Sequence, residues 1–233
     1  MRVPISKRLL LSADLVPLGA RVADVGCDHG YLGIHLLMQG IASFVTASDL
    51  RAKPLQAARE NAEKFGTADR MRFVQADGLA GIGPEDADVI VCAGMGGDLI
   101  RMILEVAPWI RDGAHMLILQ PQSGAHDLRR WMYDNAFSIR RERAALYGGF
   151  VYFAMEAVWT GENTPYTPGS LFLTPQMLES GSSVSAYLDR MVQSLDKTLR
   201  GLREAKEPGD RLDFYETAYA EIQEWKRAYD DGR

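Results

Sequence analysis

The 233-residue sequence has only two cysteines, Cys27 and Cys92, and only four histidines. The cysteines share no CxxC spacing and have no histidine partner set, so neither a disulfide framework nor a zinc site is indicated. Long apolar runs are missing as well. The longest, residues 89–95, falls far short of the roughly 20 residues that a membrane-crossing helix needs. Near the start, Arg2, Lys7 and Arg8 precede only Leu9-Leu10-Leu11 before Asp14 intervenes, which is too short for the core of a signal peptide. The expectation is a cytoplasmic chain that engages neither a membrane nor a metal. An overall basic excess is also absent. The net charge is −5, most of the acidity lies after residue 160, and the sum does not advertise nucleic-acid binding. The local exception is residues 128–143, where Arg129, Arg130, Arg140, Arg141 and Arg143 outnumber Asp134 and Glu142. Composition leaves open whether these arginines meet phosphates or simply face solvent.

With 47% hydrophobic and 24% charged residues, the composition is that of an ordinary globular protein. The length allows one full domain and an appendage, at about 150 residues per domain. Strand-length apolar runs at 21–25, 44–48, 71–75, 88–92 and 115–119 alternate with helical patterns at 31–39, 54–65, 97–106 and 125–135. The runs are continuously apolar rather than alternating, as in parallel strands buried on both faces. This is the rhythm of a doubly wound, Rossmann-like α/β sheet. Two further strand candidates, 137–143 and 150–159, flank Gly148-Gly149 and suit a hairpin at one sheet edge. After a Pro- and Gly-rich stretch at 160–174, apolar residues recur at heptad-compatible intervals on both sides of Pro208-Gly209. That predicts an antiparallel helical hairpin of coiled-coil type over 182–229. The expected division is 1–160 for a ligand-binding sheet and 161–233 for linker and hairpin.

The most informative stretch is Ala23-Asp24-Val25-Gly26-Cys27-Asp28-His29-Gly30. A buried strand ends in a glycine turn that opens a helix, the place where doubly wound folds bind nucleotides. A dinucleotide site wants G-x-G-x-x-G, but Asp28 stands where the second glycine would be. Carboxylates at Asp24 and Asp28 repel a pyrophosphate and suit a ligand with a cationic centre and an ammonium group. S-adenosylmethionine has both. About 20 residues further on, Ser48-Asp49 ends the second strand, where an acid can accept hydrogen bonds from ribose hydroxyls. Asp77-Gly78 closes the third strand, Gly94-Met95-Gly96-Gly97 the fourth, and Gln120-Pro121-Gln122 the fifth. His29 either touches the ligand or caps a local turn, whereas His35, His115 and His126 read as structural or solvated.

These motifs, together with Ser6-Lys7-Arg8-Leu9, Asp77-Gly78-Leu79 and Leu119-Gln120-Pro121, resemble the class I S-adenosylmethionine-dependent methyltransferases. More narrowly, the whole chain resembles the bacterial tRNA (adenine-N1) methyltransferases of the TrmK family, which modify adenosine 22. The family often has Thr at the position of Cys27, Ala at Gly30 and Pro at Gly33. The resemblance implies S-adenosylmethionine as cofactor, tRNA as partner, and a cofactor site built from Asp24, Gly26, Asp28, His29, Gly30, Asp49, Leu50, Asp77, Gly78, Gly94, Met95 and Gly96. It assigns catalytic positioning to Asp28, His29 and Gln120. Because adenine N1 carries a lone pair and no proton, no general base is expected, and alignment of the reactants is the main task. Lys7, Arg8, Arg129 and Arg130 are the expected phosphate contacts. In the hairpin, Lys197, Arg200 and Arg203 are spaced to share one face and to help position RNA. The cofactor residues alone equally support a methyltransferase acting on another RNA, a protein or a small molecule. A non-catalytic adaptor that keeps the fold is the reading from a different class, and a nicotinamide dehydrogenase is disfavoured by Asp28.

Overall fold

The structure, a computed structural model, describes residues 2–178, 184–207 and 209–232. Helix α1 (Lys7–Ala13) precedes the alternating series β1 (Ala20–Val25), α2 (Tyr31–Met38), β2 (Ala42–Asp49), α3 (Ala52–Phe65), β3 (Met71–Gln75), β4 (Val89–Gly96), α4 (Gly97–Glu105), β5 (Met116–Ser123) and α5 (Ala125–Asp134). A ribbon of β6 (Phe137–Tyr147) and β7 (Phe150–Trp159) follows, and then the short α6 (Pro175–Leu178) and the long helices α7 (Val184–Glu204) and α8 (Asp210–Asp231). The seven strands form one sheet in the order β3-β2-β1-β4-β5-β7-β6. β1 to β5 are parallel, whereas β7 is antiparallel to both β5 and β6.

The continuous apolar runs become central strands because both sheet faces are covered. Val22, Val45, Val89 and Ile118 face the side of α1, α2 and α3, and Ala23, Ile90, Leu117 and Leu119 face the side of α4 and α5. Gly66 stops α3 in a left-handed C-cap (φ +69°), a conformation glycine adopts at no steric cost. Strand order reverses between β1 and β4, which opens a crevice at their carboxyl ends, the usual ligand position in such sheets. β4 and β5 run further than their apolar patterns suggest. Their pairing continues to Gly96↔Ser123 across irregularities on either side of Met95. Gly94 and Gln120 therefore lie within strands at this edge.

The expected hairpin of β6 and β7 is present, turning at Gly148-Gly149. A register shift near Arg140 changes the alternation, so that Ile139 and Glu142, three residues apart, both face α5. Past the bulge, one face of the ribbon presents Ala144, Val151 and Phe153 to the helical pair α7–α8. There Leu173, Met177, Tyr187, Leu188, Leu195 and Ile222 form a separate apolar cluster. Leu199 fills the heptad gap between Leu195 and Leu202 and is buried. Ser182 and Pro208, the expected helix opening and part of the expected turn, lie outside the described residues.

Arg129 corrects an expectation. It is fully buried and pairs with the equally buried Glu142 (Nη2 to Oε1, 2.6 Å). It also donates to the Leu171 carbonyl at 3.0 Å and lies 4.9 Å above the Phe153 ring. Thr174 donates its hydroxyl to the other Glu142 oxygen. Burial works against the guanidinium charge, but Glu142 outweighs it and holds Arg129 protonated. Arg129 is thus a bolt between α5, the ribbon and the chain leading to the helical pair, and it offers nothing to a phosphate. Glu142→Leu alone strands a buried cation and should cost about 3–5 kcal/mol of stability. Arg129→Met combined with Glu142→Leu should cost clearly less than Glu142→Leu alone in urea denaturation. Equal losses would show that the two charges are not coupled.

Candidate active site

Between β1 and α2 the turn passes through the left-handed region three times, at Gly26 (φ +69°), Asp28 (φ +50°) and Gly30 (φ +71°). For Asp28 this conformation is strained, and it is held by a bond from its N–H to Asp49 Oδ2 at 3.2 Å. A side chain at Gly30 would also meet the Ala58 Cβ at 2.9 Å, so the residue lets α2 start against α3. The Cys27 N–H donates to the Ser48 carbonyl at 2.8 Å. The turn is therefore sewn to the end of β2 by two bonds.

Asp24, at the end of β1, is buried, and its Oδ2 accepts the Gly33 N–H from the first turns of α2 at 3.3 Å. Burial pushes its carboxyl up to about 7. The Gly33 N–H opposes that rise and the Asp49 charge adds to it. A buried carboxyl with a raised pKa in a crevice marks a candidate functional site. Asp49, also buried, accepts the Arg51 N–H at 2.9 Å on Oδ1 as well as the Asp28 N–H. Leu50 beside it is 61% exposed, an apolar face open at the rim. Ser48 Oγ donates to the Gly78 carbonyl at 3.3 Å, which ties the loop after β3 to the same edge, and Asp77 on that loop is exposed. Asp28 and His29 point outward, half exposed or more, with 3.8 Å between Asp28 Oδ1 and His29 Nε2. The Met95 methyl lies against Gly26, where a side chain at that position would collide with it.

Gly94 is left-handed (φ +84°), and a Cβ on it would lie 2.5 Å from Nη1 of Arg8. Arg8 therefore turns inward over the end of β4 rather than out to solvent, and its Nη1 is buried without a hydrogen-bond partner. Gln120 is buried at the end of β5. Its Nε2 donates to the Pro121 carbonyl at 3.3 Å and its Oε1 has no partner. Both residues line a cleft of about 400 Å³ between the diverging strands β5 and β7, which Gln122, Phe150, Tyr152 and Arg190 complete.

Asp24, Gly26, Asp28, His29, Gly30, Asp49 and Leu50 thus gather around one crevice. Asp77, Gly78, Gly94, Met95, Gly96 and Gln120 stand along the same sheet edge. Lys7 is exposed. Arg130 lies elsewhere, 4.8 Å over the Phe214 ring of α8. In the helical pair, Arg200 is bonded to Asp196, and Arg203 to Glu216 at 2.9 Å. Sequence reasoning missed Gly33, whose N–H anchors Asp24 and whose missing side chain makes room for Val45. The Gly30-x-x-Gly33 spacing at a helix start was the available signal. It also missed Arg190, which only folding brings to the cleft.

A family model described as a methyltransferase domain matches residues 5–155. The tRNA (adenine(22)-N(1))-methyltransferase of Bacillus subtilis is 38% identical over 198 residues, covering 83% of this chain and 82% of that protein. The crystal structure of the B. subtilis M1A22 tRNA methyltransferase TrmK superposes with a TM-score of 0.77 over 99% of both chains, at 25% identity. A Streptococcus pneumoniae structure in complex with S-adenosyl-L-methionine gives a TM-score of 0.79 at 30% identity, over 92% of this chain and 99% of that one.

Asp24 carries a stability cost that can be measured. Its carboxyl stays protonated in the folded chain up to about pH 7, against an ordinary 3.8. The folded state therefore holds a proton that the unfolded chain releases, and stability falls as pH rises from about 3.8 to about 7. A gap of that size corresponds to about 4 kcal/mol above pH 7. Asp24→Asn keeps the Gly33 acceptor but adds a buried donor that costs about 1–3 kcal/mol. At pH 8 the variant should be more stable than wild type by about 1–3 kcal/mol, and the advantage should vanish near pH 4. A variant less stable at pH 8 would show that Asp24 is not a strained ion.

Proposed function

The chain belongs to the tRNA (adenine(22)-N(1))-methyltransferases, and on that premise we infer that it transfers a methyl group from S-adenosylmethionine to N1 of adenine 22 in tRNA. The observation that carries the reading is the set of acids at one sheet edge: the buried Asp24 at the end of β1, Asp28 on the glycine turn after it, and the buried Asp49 that accepts the Asp28 N–H. Bound in this crevice, S-adenosylmethionine supplies a methyl group activated by its sulfonium charge. The residues present fit that molecule. Asp24 and Asp28 give anionic partners for an ammonium and lie near a sulfonium, Asp49 keeps acceptor capacity for ribose hydroxyls, and Leu50 offers an apolar surface to a purine. Asp77 accepts from the exocyclic amine of the cofactor's adenine. Gly94, Met95 and Gly96 bring bare backbone close to the reacting centre.

The target base needs no proton removed, because N1 attacks with its own lone pair. The protein's contribution is to align N1 with the methyl group and to keep carboxylates near the positive charge as it moves to the purine. Gln120 is the positioning residue for the base, because one end of its buried amide is fixed to Pro121 and the other is free to bond. Lys7, Arg8 and Arg130 supply positive charge toward the RNA, and residues 161–233 serve RNA positioning while 1–160 hold the cofactor. The reaction belongs in the cytoplasm, where tRNA is met.

Incubation of unmodified tRNA with the protein and S-adenosylmethionine, followed by mass mapping of nucleosides, should give 1-methyladenosine at position 22. Methylation found only elsewhere would overturn the reading. Asp49→Ala should weaken S-adenosylmethionine binding about ten- to a hundredfold in calorimetry. Because Asp24 takes up a proton below about pH 7, affinity should drop about tenfold on acidification from pH 7.5 to pH 6. An unchanged affinity over that interval would show that Asp24 does not titrate there.

A further inference from the structure

The last β5–β7 pair is Leu119↔Met155. β7 starts five residues earlier in sequence, at Phe150, so the ribbon continues about 17 Å beyond that pair at roughly 3.4 Å per residue. β5 itself continues four residues past Leu119, to Ser123, so the ribbon's tip stands at the carboxyl edge of the sheet, the edge that carries the proposed cofactor residues. At its tip the two-residue turn Gly148-Gly149 is left-handed at both positions (φ +58° and +76°), the tight turn that suits the twist of a ribbon. Tyr147 and Phe150 are the cross-strand pair that closes it, and they share one face. Each is 56% exposed. Hairpin tips are ordinarily polar. Here Phe150 touches Tyr152, with 6.4 Å between ring centres, and still leaves more than half of its surface open, as Tyr147 opposite it does.

The surroundings say what the tip meets. Phe150 lines the same cleft as Gln120 and Arg8, so its ring stands in the space assigned to the target base, with Tyr147 paired across the turn from it. Arg190 of α7 donates to the Gly149 carbonyl at 3.0 Å and holds its guanidinium 5.4 Å from the centre of the Phe150 ring. Lys197, further along α7, lines an open cleft with Gly149 and Arg190. The acid there, Asp189, is bonded to Lys226 at 3.0 Å. The aromatic tip thus sits in locally positive surroundings on a chain of negative net charge. Exposed aromatic rings flanked by arginine and lysine suit unstacked nucleic-acid bases.

We propose that the β6–β7 tip is the unstacking element of this enzyme, with Tyr147 and Phe150 stacking on the RNA bases next to the target adenine once it has left its place. The proposal rests on the assigned methylation of a base in folded tRNA. N1 lies on the pairing edge of adenine, so the base must leave its stack to reach Gln120. Aromatic surface offered to its former neighbours offsets the stacking lost.

The test uses the full chain with Tyr147→Ala, Phe150→Ala, the double variant and Phe150→Trp. The substrates are folded tRNA and the same tRNA with abasic sites on both sides of the target adenine. The double variant should bind S-adenosylmethionine like wild type and melt at the same temperature, but lose about tenfold or more in kcat/KM on folded tRNA. On the abasic tRNA, where neighbouring stacks are already gone, it should come within about threefold of wild type, and Phe150→Trp should retain activity on both substrates. Wild-type rates for the double variant on folded tRNA would overturn the proposal. So would an equal loss on both substrates, which describes a general RNA contact rather than unstacking. If the wild-type protein makes no 1-methyladenosine at all, the underlying functional reading fails instead.

Discussion

Glu142 is a carboxylate with no exposure to solvent, and the elements around it are positioned to answer its charge. Arg129 comes from α5, the helix that follows the Gln120 strand. Thr174 comes from the segment leading into the helical pair, and the Leu171 carbonyl takes up the far side of the same guanidinium. Tyr187 of α7, bonded to the Phe172 carbonyl at 3.0 Å, completes the enclosure. Two charges removed from water attract strongly only if their remaining hydrogen-bonding capacity is filled. That condition fixes the ribbon, α5 and the helical pair relative to one another. A ribbon held at its base in this way can carry its tip to the sheet edge and still point in a defined direction.

The opposite edge of the crevice is arranged for function at the expense of stability. Asp24 is buried beside another acid, Asp49, with one backbone N–H for company. Asp28 sits in a backbone conformation that its side chain disfavours. Neither choice helps the ligand-free fold, and both gather carboxyl groups in the crevice proposed for the cofactor. Strain and burial of this kind persist only when surrounding packing over-determines them. Here the bonds from the turn to Ser48 and Asp49, and from Ser48 to the Gly78 loop, do so.

A chain of net charge −5 that acts on RNA has to use its cations locally. Many of its arginines are committed to ion pairs: Arg21 to Asp88, Arg72 to Asp86, Arg141 to Glu156, Arg200 to Asp196 and Arg203 to Glu216. Arg8 and Arg190 face the cleft between β5 and β7, and neither takes part in an ion pair among the described residues. These two cations lie beside Gln120, where a local contact with RNA would add to stacking rather than form a broad phosphate clamp.

The sequence by itself determined the elements and the ligand edge. Continuous apolar runs mark strands buried on both faces, Gly66 marks a helix end, and acids following successive strands mark the crevice, because each depends on local backbone chemistry and on the period of the pattern. It also carried the motifs that point to the family. What it left undecided depends on partners far along the chain. An arginine reads the same whether it is solvated or buried, and Arg129 is buried because a bulge near Arg140 turns Glu142 toward it and the Leu171 carbonyl, 42 residues away, closes over it. Arg8 looks like a surface cation until the left-handed Gly94 leaves room for it to turn inward. The insertion of β7 between β5 and β6 puts Phe150, rather than a β6 residue, beside Gln120. Strand order and side-chain destination follow from which buried charges and faces find each other in three dimensions, and local periodicity carries no record of that.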